Sequence, residues 1–153
     1  MNYVRAAGIA SLAALTVLAV FVRHALTAEE QAANSYQNLL TPILSGNQTI
    51  LDQTIAYPAG TPKVTAAIVT IPPGGETGWH THEIPLFAYI LDGELTVDYG
   101  DKGVKTYKAG NGVLEAIDWP HNGTNKSDVS VRLLAVYMGV DGIANAEPVV
   151  AAQ

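Results

Sequence analysis

From residue 46 onward, short stretches rich in β-branched and aromatic residues alternate with clusters of Gly, Pro, Asn and Asp. This pattern is typical of an all-β sandwich or barrel, because β-branched side chains favour strands and the other residues favour turns. No long helical period, internal repeat or shift in composition indicates a second domain. The sequence therefore predicts one all-β domain, a closed barrel with a polar mouth and a cavity for a small ligand.

The predicted domain covers residues 46–147. A lead-in segment, residues 29–45, precedes it and is expected to contain a short helix from Glu29 to about Leu44, disturbed at its end by Pro42. Residues 148–153 form a tail, and everything after Val140 is expected to be irregular and without a chemical role. The predicted strands are residues 49–57, 63–71, 77–82, 86–91, 94–99, 104–107, 113–117, 121–125 and 129–140.

Composition excludes several classes of function. The formal charge is -6, and the eight Lys and Arg residues are scattered, so there is no basic stripe that could follow a phosphate backbone. Nucleic acid is therefore not expected as a partner. The chain has no cysteine, which excludes disulfides, thiolate catalysis and Cys-ligated zinc.

The first 28 residues are interpreted as an export signal. Arg5 is followed by an uncharged run, residues 6–22, which as a helix would span about 25 Å, against the roughly 30 Å of a bilayer core. Cleavage after Ala28 is favoured, although Leu26 stands where a small residue is preferred, and an uncleaved anchor remains the alternative. In both cases the domain is expected outside the cytoplasm, either periplasmic or anchored on the outer side of the cytoplasmic membrane.

Three of the four histidines have the spacing of a metal site. Residues i and i+2 of a strand point to the same face, so His80 and His82 can reach one ion, and His121 would supply a third nitrogen. Three neutral imidazoles suit one divalent transition metal, and Fe, Zn, Ni, Co, Cu and Mn are all left open.

The residues around these histidines resemble the two conserved motifs of the cupin superfamily. The resemblance covers residues 64–137 without insertion or deletion and implies a cupin-type jelly-roll barrel, or double-stranded β-helix, with a metal held by His80, His82 and His121. It also implies dioxygenase, decarboxylase, lyase or isomerase chemistry. The first motif is carried by Gly74, His80, His82 and Gly93, and the second by Gly110, His121 and Asn125.

Two departures from the family pattern bear on the site. The usual glutamate of the first motif is Leu86 here, which puts a fourth protein ligand in doubt and makes the site drier. In the second motif, Ala116 and Asp118 occupy the usual Pro and Gly positions, which affects the geometry of a turn.

Glu115 is the candidate catalytic residue. A hairpin centred near Asp118 would place Glu115 opposite His121, where it could be a fourth ligand, orient His121 or act as a general base. The alternative is an exposed glutamate at a strand end. Glu83 follows His82 directly, so a regular strand would turn its side chain to the opposite face, away from the ion.

Aromatic residues could line the cavity mouth, although in strands they more often pack, and Asn125 is expected to support a turn. The aromatic candidates are Trp79, Phe87, Tyr89, Trp119 and Tyr137.

Three functions remain open from the sequence. The first is a small metal-dependent enzyme that acts on a small anionic or chelating metabolite, the second a non-catalytic module that binds a small molecule or a metal, and the third a barrel whose histidines bind nothing. The partner is expected to be a small molecule, with membrane contact only through the N-terminal segment. Formation of a homodimer is left open.

Overall fold

The computed structural model describes residues 36–149. It contains two compact units, one ending at Pro42 and the other beginning at Ile43. The predicted export segment, residues 1–28, lies outside the described residues, as does most of the predicted lead-in helix. Among the residues of the predicted lead-in helix that the structure describes, 36–44, only 36 and 37 are helical, so the prediction of a helix reaching Leu44 is wrong there. Pro42 explains this in part, because it disfavours helical backbone at the residue before it.

The part of the chain from residue 36 to 149 has no helix that is both long and apolar enough to cross a membrane. Its regular structure consists of nine strands and one turn of 3₁₀-helix, so the predicted all-β class is confirmed. The strands are β1 (Pro62–Ile71), β2 (His80–Thr81), β3 (Leu86–Asp92), β4 (Glu94–Asp98), β5 (Val104–Lys108), β6 (Gly112–Leu114), β7 (Asn122–Thr124), β8 (Val131–Val140) and β9 (Glu147–Pro148), with the 3₁₀ turn at Gly100–Lys102.

The strands form antiparallel sheets, an arrangement consistent with a jelly roll. One sheet has the order β1-β8-β3-β6 and another the order β5-β4-β7, while β2 pairs with β9. Two isolated bridges, Glu76 with Thr124 and His80 with His121, connect the chain around β2 to β7 and its flank. The pair formed by β2 and β9 is therefore connected to the three-stranded sheet through β7 and its flank.

Strict alternation of side chains along the strands produces the core. In β3 the buried residues are Leu86, Ala88 and Ile90, and in the first half of β8 they are Val131, Leu133 and Ala135. The aliphatic residues of both sheets meet in one cluster. Its members include Ile71, Ala88, Ile90, Leu95, Val97, Val113, Val131 and Leu133.

The strand predicted at residues 49–57 is wrong. The Thr49 hydroxyl accepts hydrogen bonds from the backbone N–H groups of Leu51 and Gln53, and Asp52 has a positive φ of 60°. These local side-chain bonds compete with sheet pairing and close a turn instead. Only the isolated bridge between Gln48 and Thr54 remains of the predicted strand.

Asn125 is fully buried at the point where β7 ends, and its side chain connects three segments. The amide nitrogen donates to the carbonyls of Ile71 and Val129, at 3.0 and 2.7 Å. The amide oxygen accepts from the backbone N–H and the hydroxyl of Ser127. The predicted supporting role of Asn125 at a turn is confirmed.

Replacing Asn125 by Ala should lower the free energy of unfolding by about 2–3 kcal/mol, because the fully buried amide loses all its hydrogen bonds and the buried carbonyl of Ile71 loses its side-chain donor. Urea denaturation followed by circular dichroism measures the change. Asn111 is the matched control, since its side chain accepts a single bond from the N–H of Lys108 at the surface, and Asn111→Ala should cost less than about 1 kcal/mol. Equal losses in the two variants would contradict this account of Asn125.

Candidate functional site

The three predicted histidines meet in one cluster, as the sequence predicts. Two backbone hydrogen bonds of 3.0 Å join His80 and His121, each residue donating its N–H to the other's carbonyl. His82 lies two positions along from His80, so its side chain faces the same way. One ring nitrogen from each of His80, His82 and His121 lies within 4.8 Å of the others, an arrangement that could hold a metal ion.

A backbone carbonyl fixes the tautomer of each ring. The Nδ1 atoms of His80, His82 and His121 lie 2.8, 2.6 and 2.8 Å from the carbonyl oxygens of Gly78, Asn145 and Trp119. A carbonyl can only accept, so each Nδ1 carries the proton and each Nε2 keeps a free lone pair. This is the arrangement that histidine ligands to metals usually adopt.

Burial keeps the three rings neutral near pH 7. Desolvation lowers the pKa of His82 to about 4, although its hydrogen bond to Asn145 opposes the shift. Burial also lowers the pKa of His80 and of His121. Neutral imidazole is the form that binds transition metals, so no proton has to be removed first.

The cluster lines a cavity of about 390 Å³ between the sheets. Most of the remaining lining is aliphatic and comes from the inward positions of β1, β3, β4, β6 and β8. Leu86, at the position of the family's glutamate, is buried and belongs to this lining, as its parity predicts. The aliphatic members are Val69, Leu86, Ala88, Ile90, Leu95, Val97, Val113, Leu133 and Ala135.

Glu115 also lines the cavity, but not in the way the sequence predicts. Strand β6 pairs with β3 and strand β7 with β4, so residues 115 and 121 are not partners in a hairpin. The side chain is 7% exposed, which contradicts the alternative of an exposed strand-end glutamate. Its carboxylate is not part of the histidine cluster among the described residues, and the bond that orients His121 comes from Trp119.

Two tyrosines that sequence reasoning missed connect to Glu115. The hydroxyls of Tyr99 and Tyr107 lie 3.0 Å apart, and the Tyr99 hydroxyl also interacts with the Glu115 carboxylate. Burial raises the pKa of Glu115, while a hydrogen bond from the N–H of Ala116 and the contact with Tyr99 oppose the rise. Burial likewise raises the pKa of Tyr107 to about 12 and moves that of Tyr99 further upward. The inward parity of Tyr107 in β5 is the signal that could have identified it.

The chain after Val140 contributes to the site, so the prediction of an irregular segment without a chemical role is wrong. Strand β9 pairs with β2, and the N–H of Val149 donates to the carbonyl of Trp79. Asn145 supplies the carbonyl that holds His82, while Ala146 and Pro148 line the cavity. A backbone carbonyl has no sequence signature, which explains why this partner was missed.

The aromatic candidates divide according to strand parity. Trp79 and Tyr137 line the cavity, whereas Phe87 lies against a different surface depression. Trp119 packs against the core and donates its indole N–H to the carbonyl of Tyr99. Tyr89 stands on the same outward parity as Phe87.

Two further predictions concern the turns around the cluster. Glu83 is exposed and outside the histidine cluster, as its parity predicts. Asp118 has a φ of 50°, a conformation that Gly adopts freely and Asp tolerates. Its N–H donates to the carbonyl of His82, so the turn keeps its geometry without the family's glycine.

Comparison with protein-family models matches residues 67–137 to the cupin domain. No curated protein matches the chain. Among solved structures, it is similar to an oxalate decarboxylase from Lactobacillus farciminis, crystallised with formate, with 25% identity and a TM-score of 0.50. That match covers 60% of this chain and 27% of the decarboxylase, so the chain spans well under half of that protein.

Two other solved structures also match the chain. A structure of DMSP lyases matches with 15% identity and a TM-score of 0.50, covering 57% of this chain and 44% of that one. A cupin domain from Bordetella pertussis has 24% identity and a TM-score of 0.44, covering 56% of this chain and 99% of that one.

In the presence of a metal chelator, the free energy of unfolding should decrease as the pH falls below about 6.5. In that range the unfolded chain binds a proton at His82 more tightly than the folded chain does, because the folded pKa is about 4. The free energy of unfolding should therefore decrease by roughly 3 kcal/mol across this window from His82 alone. Urea denaturation at pH 7.5 and pH 4.5 measures the decrease.

The lowered pKa values of His80 and His121 also reduce the free energy of unfolding as the pH falls. The raised pKa of Glu115 has the opposite effect. The variant His82→Gln lacks the contribution of His82. Its free energy of unfolding should therefore decrease clearly less between pH 7.5 and pH 4.5 than that of the unaltered protein. An unchanged decrease would contradict the assignment to His82.

Proposed function

The chain belongs to the cupin superfamily, and on that premise we propose that it is a small metal-dependent enzyme with one divalent transition metal held by His80, His82 and His121. The observation that carries this proposal is the set of three carbonyl contacts that leave each Nε2 free within a single cluster. Three rings oriented by three separate carbonyls are hard to explain as packing alone.

The donor set fits such an ion. All three ligands are neutral, and the buried Leu86 replaces the family's anionic ligand, so the ion would keep its full positive charge. When bound, it would supply Lewis acidity towards a carbonyl, enol or carboxylate oxygen, and a redox-active ion would also allow dioxygen chemistry. The reaction types proposed are those of a dioxygenase, lyase, decarboxylase or isomerase, and the similarity to an oxalate decarboxylase supports the inclusion of decarboxylation.

Glu115 is the residue we assign to proton transfer. It faces the same cavity as the histidines, and its raised pKa makes the carboxyl able to hold a proton closer to neutral pH than a surface glutamate can. The N–H of Ala116 donates to Oε1 of Glu115 at 2.8 Å. This bond orients the carboxyl group before a substrate enters.

A non-catalytic binding module is the second candidate, and the replacement of the family's glutamate by Leu86 favours it. Both candidates need the ion. An enzyme should form product that disappears in Glu115→Gln while the ion is retained, whereas a module should show stabilisation by its ligand and no product.

Export is also proposed, on the basis of the charged start and apolar run in residues 1–28. Fractionation of bacterial cells that express the full chain should find it in the periplasm or on the membrane and accessible to added protease. Protection of the protein inside intact spheroplasts would contradict this proposal.

Elemental analysis of the protein, purified without added metal or a histidine tag, should find about one transition-metal ion per chain. The variant His121→Ala should lose most of that ion because the remaining pair has only two ligands. Asn111→Ala is the control and should keep it, since Asn111 is exposed and its side chain only accepts a bond from the N–H of Lys108. No metal above background, or equal loss in both variants, would contradict the proposed site.

A further inference from the structure

The cavity that contains the histidine cluster is mainly apolar. Its interior wall is formed by aliphatic side chains from both sheets, among them Ile90, Val97 and Leu133, which are 1%, 2% and 8% exposed. Such a wall offers water few hydrogen bonds, so the replacement of water by an apolar group is favourable there. The exposed lining residues Ala146 and Pro148 mark the opening, next to β2 and its histidine.

The charged side chains of the cavity wall also restrict which ligands can bind. Among the described residues that line the cavity there is no Lys or Arg, and Glu115 is the only acidic one. Positive charge inside would therefore come from an ion at the histidine cluster alone. A second carboxylate or a phosphate further along the cavity would be buried without a cationic partner and would share the space with Glu115.

We propose that the cavity binds a monoanion with an apolar body, such as a medium-chain monocarboxylate, with its anionic head at the histidine cluster and its body among the aliphatic side chains. This inference rests on the proposed metal function and narrows its substrate class. At about 30 Å³ for each water-sized group, 390 Å³ holds about thirteen groups at liquid density, enough for a head and a body of about six to ten carbons.

Two small residues create much of the room for that body. Ala88 in β3 and Ala135 in β8 are cross-strand partners, both buried and both in the cavity wall. A leucine at position 135 would add three carbons to the wall and remove about 90 Å³ of space at about 30 Å³ per group. The substitution would leave the three histidines and Glu115 unchanged.

The test is isothermal titration calorimetry on the full chain loaded with Zn²⁺, after elemental analysis has established the zinc content. Acetate, butyrate and hexanoate should bind with rising affinity, about fourfold for each added methylene. Adipate has the same six carbons as hexanoate but a second carboxylate, and it should bind at least tenfold more weakly than hexanoate.

The variant Ala135→Leu should weaken hexanoate binding at least tenfold and leave acetate binding and zinc content unchanged. Ala66→Leu is the matched control, since Ala66 is exposed on β1, and it should leave all affinities unchanged. The comparison of hexanoate with adipate on the unaltered protein stands even if Ala135→Leu fails to fold.

The outcomes separate the two proposals. Zinc binding without chain-length dependence, or adipate binding as tightly as hexanoate, would overturn the monoanion inference and leave the metal site intact. Failure of the full chain to retain zinc or any other of the divalent transition metals left open above would overturn the proposed function and this inference together.

Discussion

The two backbone hydrogen bonds between His80 and His121 are the constraint on which the site depends. They join stretches of chain that are far apart in the sequence and fix the distance between their inward side chains. Parity along the strand then orients His82 with His80. If this bridge were lost, each histidine ring could still donate to its own backbone carbonyl, but the three rings would no longer be held close to one another.

The same arrangement has a cost in stability. Two buried imidazoles, a third that is half-buried and one buried carboxyl line the same cavity, each with a pKa moved in the direction that disfavours its charged form. In an apolar cavity such groups are tolerated because each has a hydrogen-bond partner, and no buried side-chain polar atom among the described residues lacks one. A natural protein retains a polar cluster of this kind in its interior mainly where the cluster has a function.

Much of the fold and of the site could be predicted because local rules determine them. Period-two alternation identifies the long strands β3 and β8, and it correctly orients His80, His82 and Leu86 while excluding Glu83. The third histidine of the cluster, His121, required the motif resemblance, since nothing local relates residue 121 to residue 80. The turn at residues 49–53 was missed because its cause is a side-chain hydroxyl that bonds backbone, which strand propensity ignores. Glu115 was placed in the correct cavity for the wrong reason, because the turn at Asp118 separates two sheets and does not close a hairpin.

The carbonyl of Asn145 belongs to a segment outside both large sheets. It lies 63 residues after His82, beyond β8, and all strands of the two large sheets end by Val140. If the segment around Asn145 detached, the sheets would keep their strand pairing, but the His82 ring would lose its acceptor and be free to rotate. An ion at the cluster would then meet a fixed or a rotating imidazole according to whether this segment is docked.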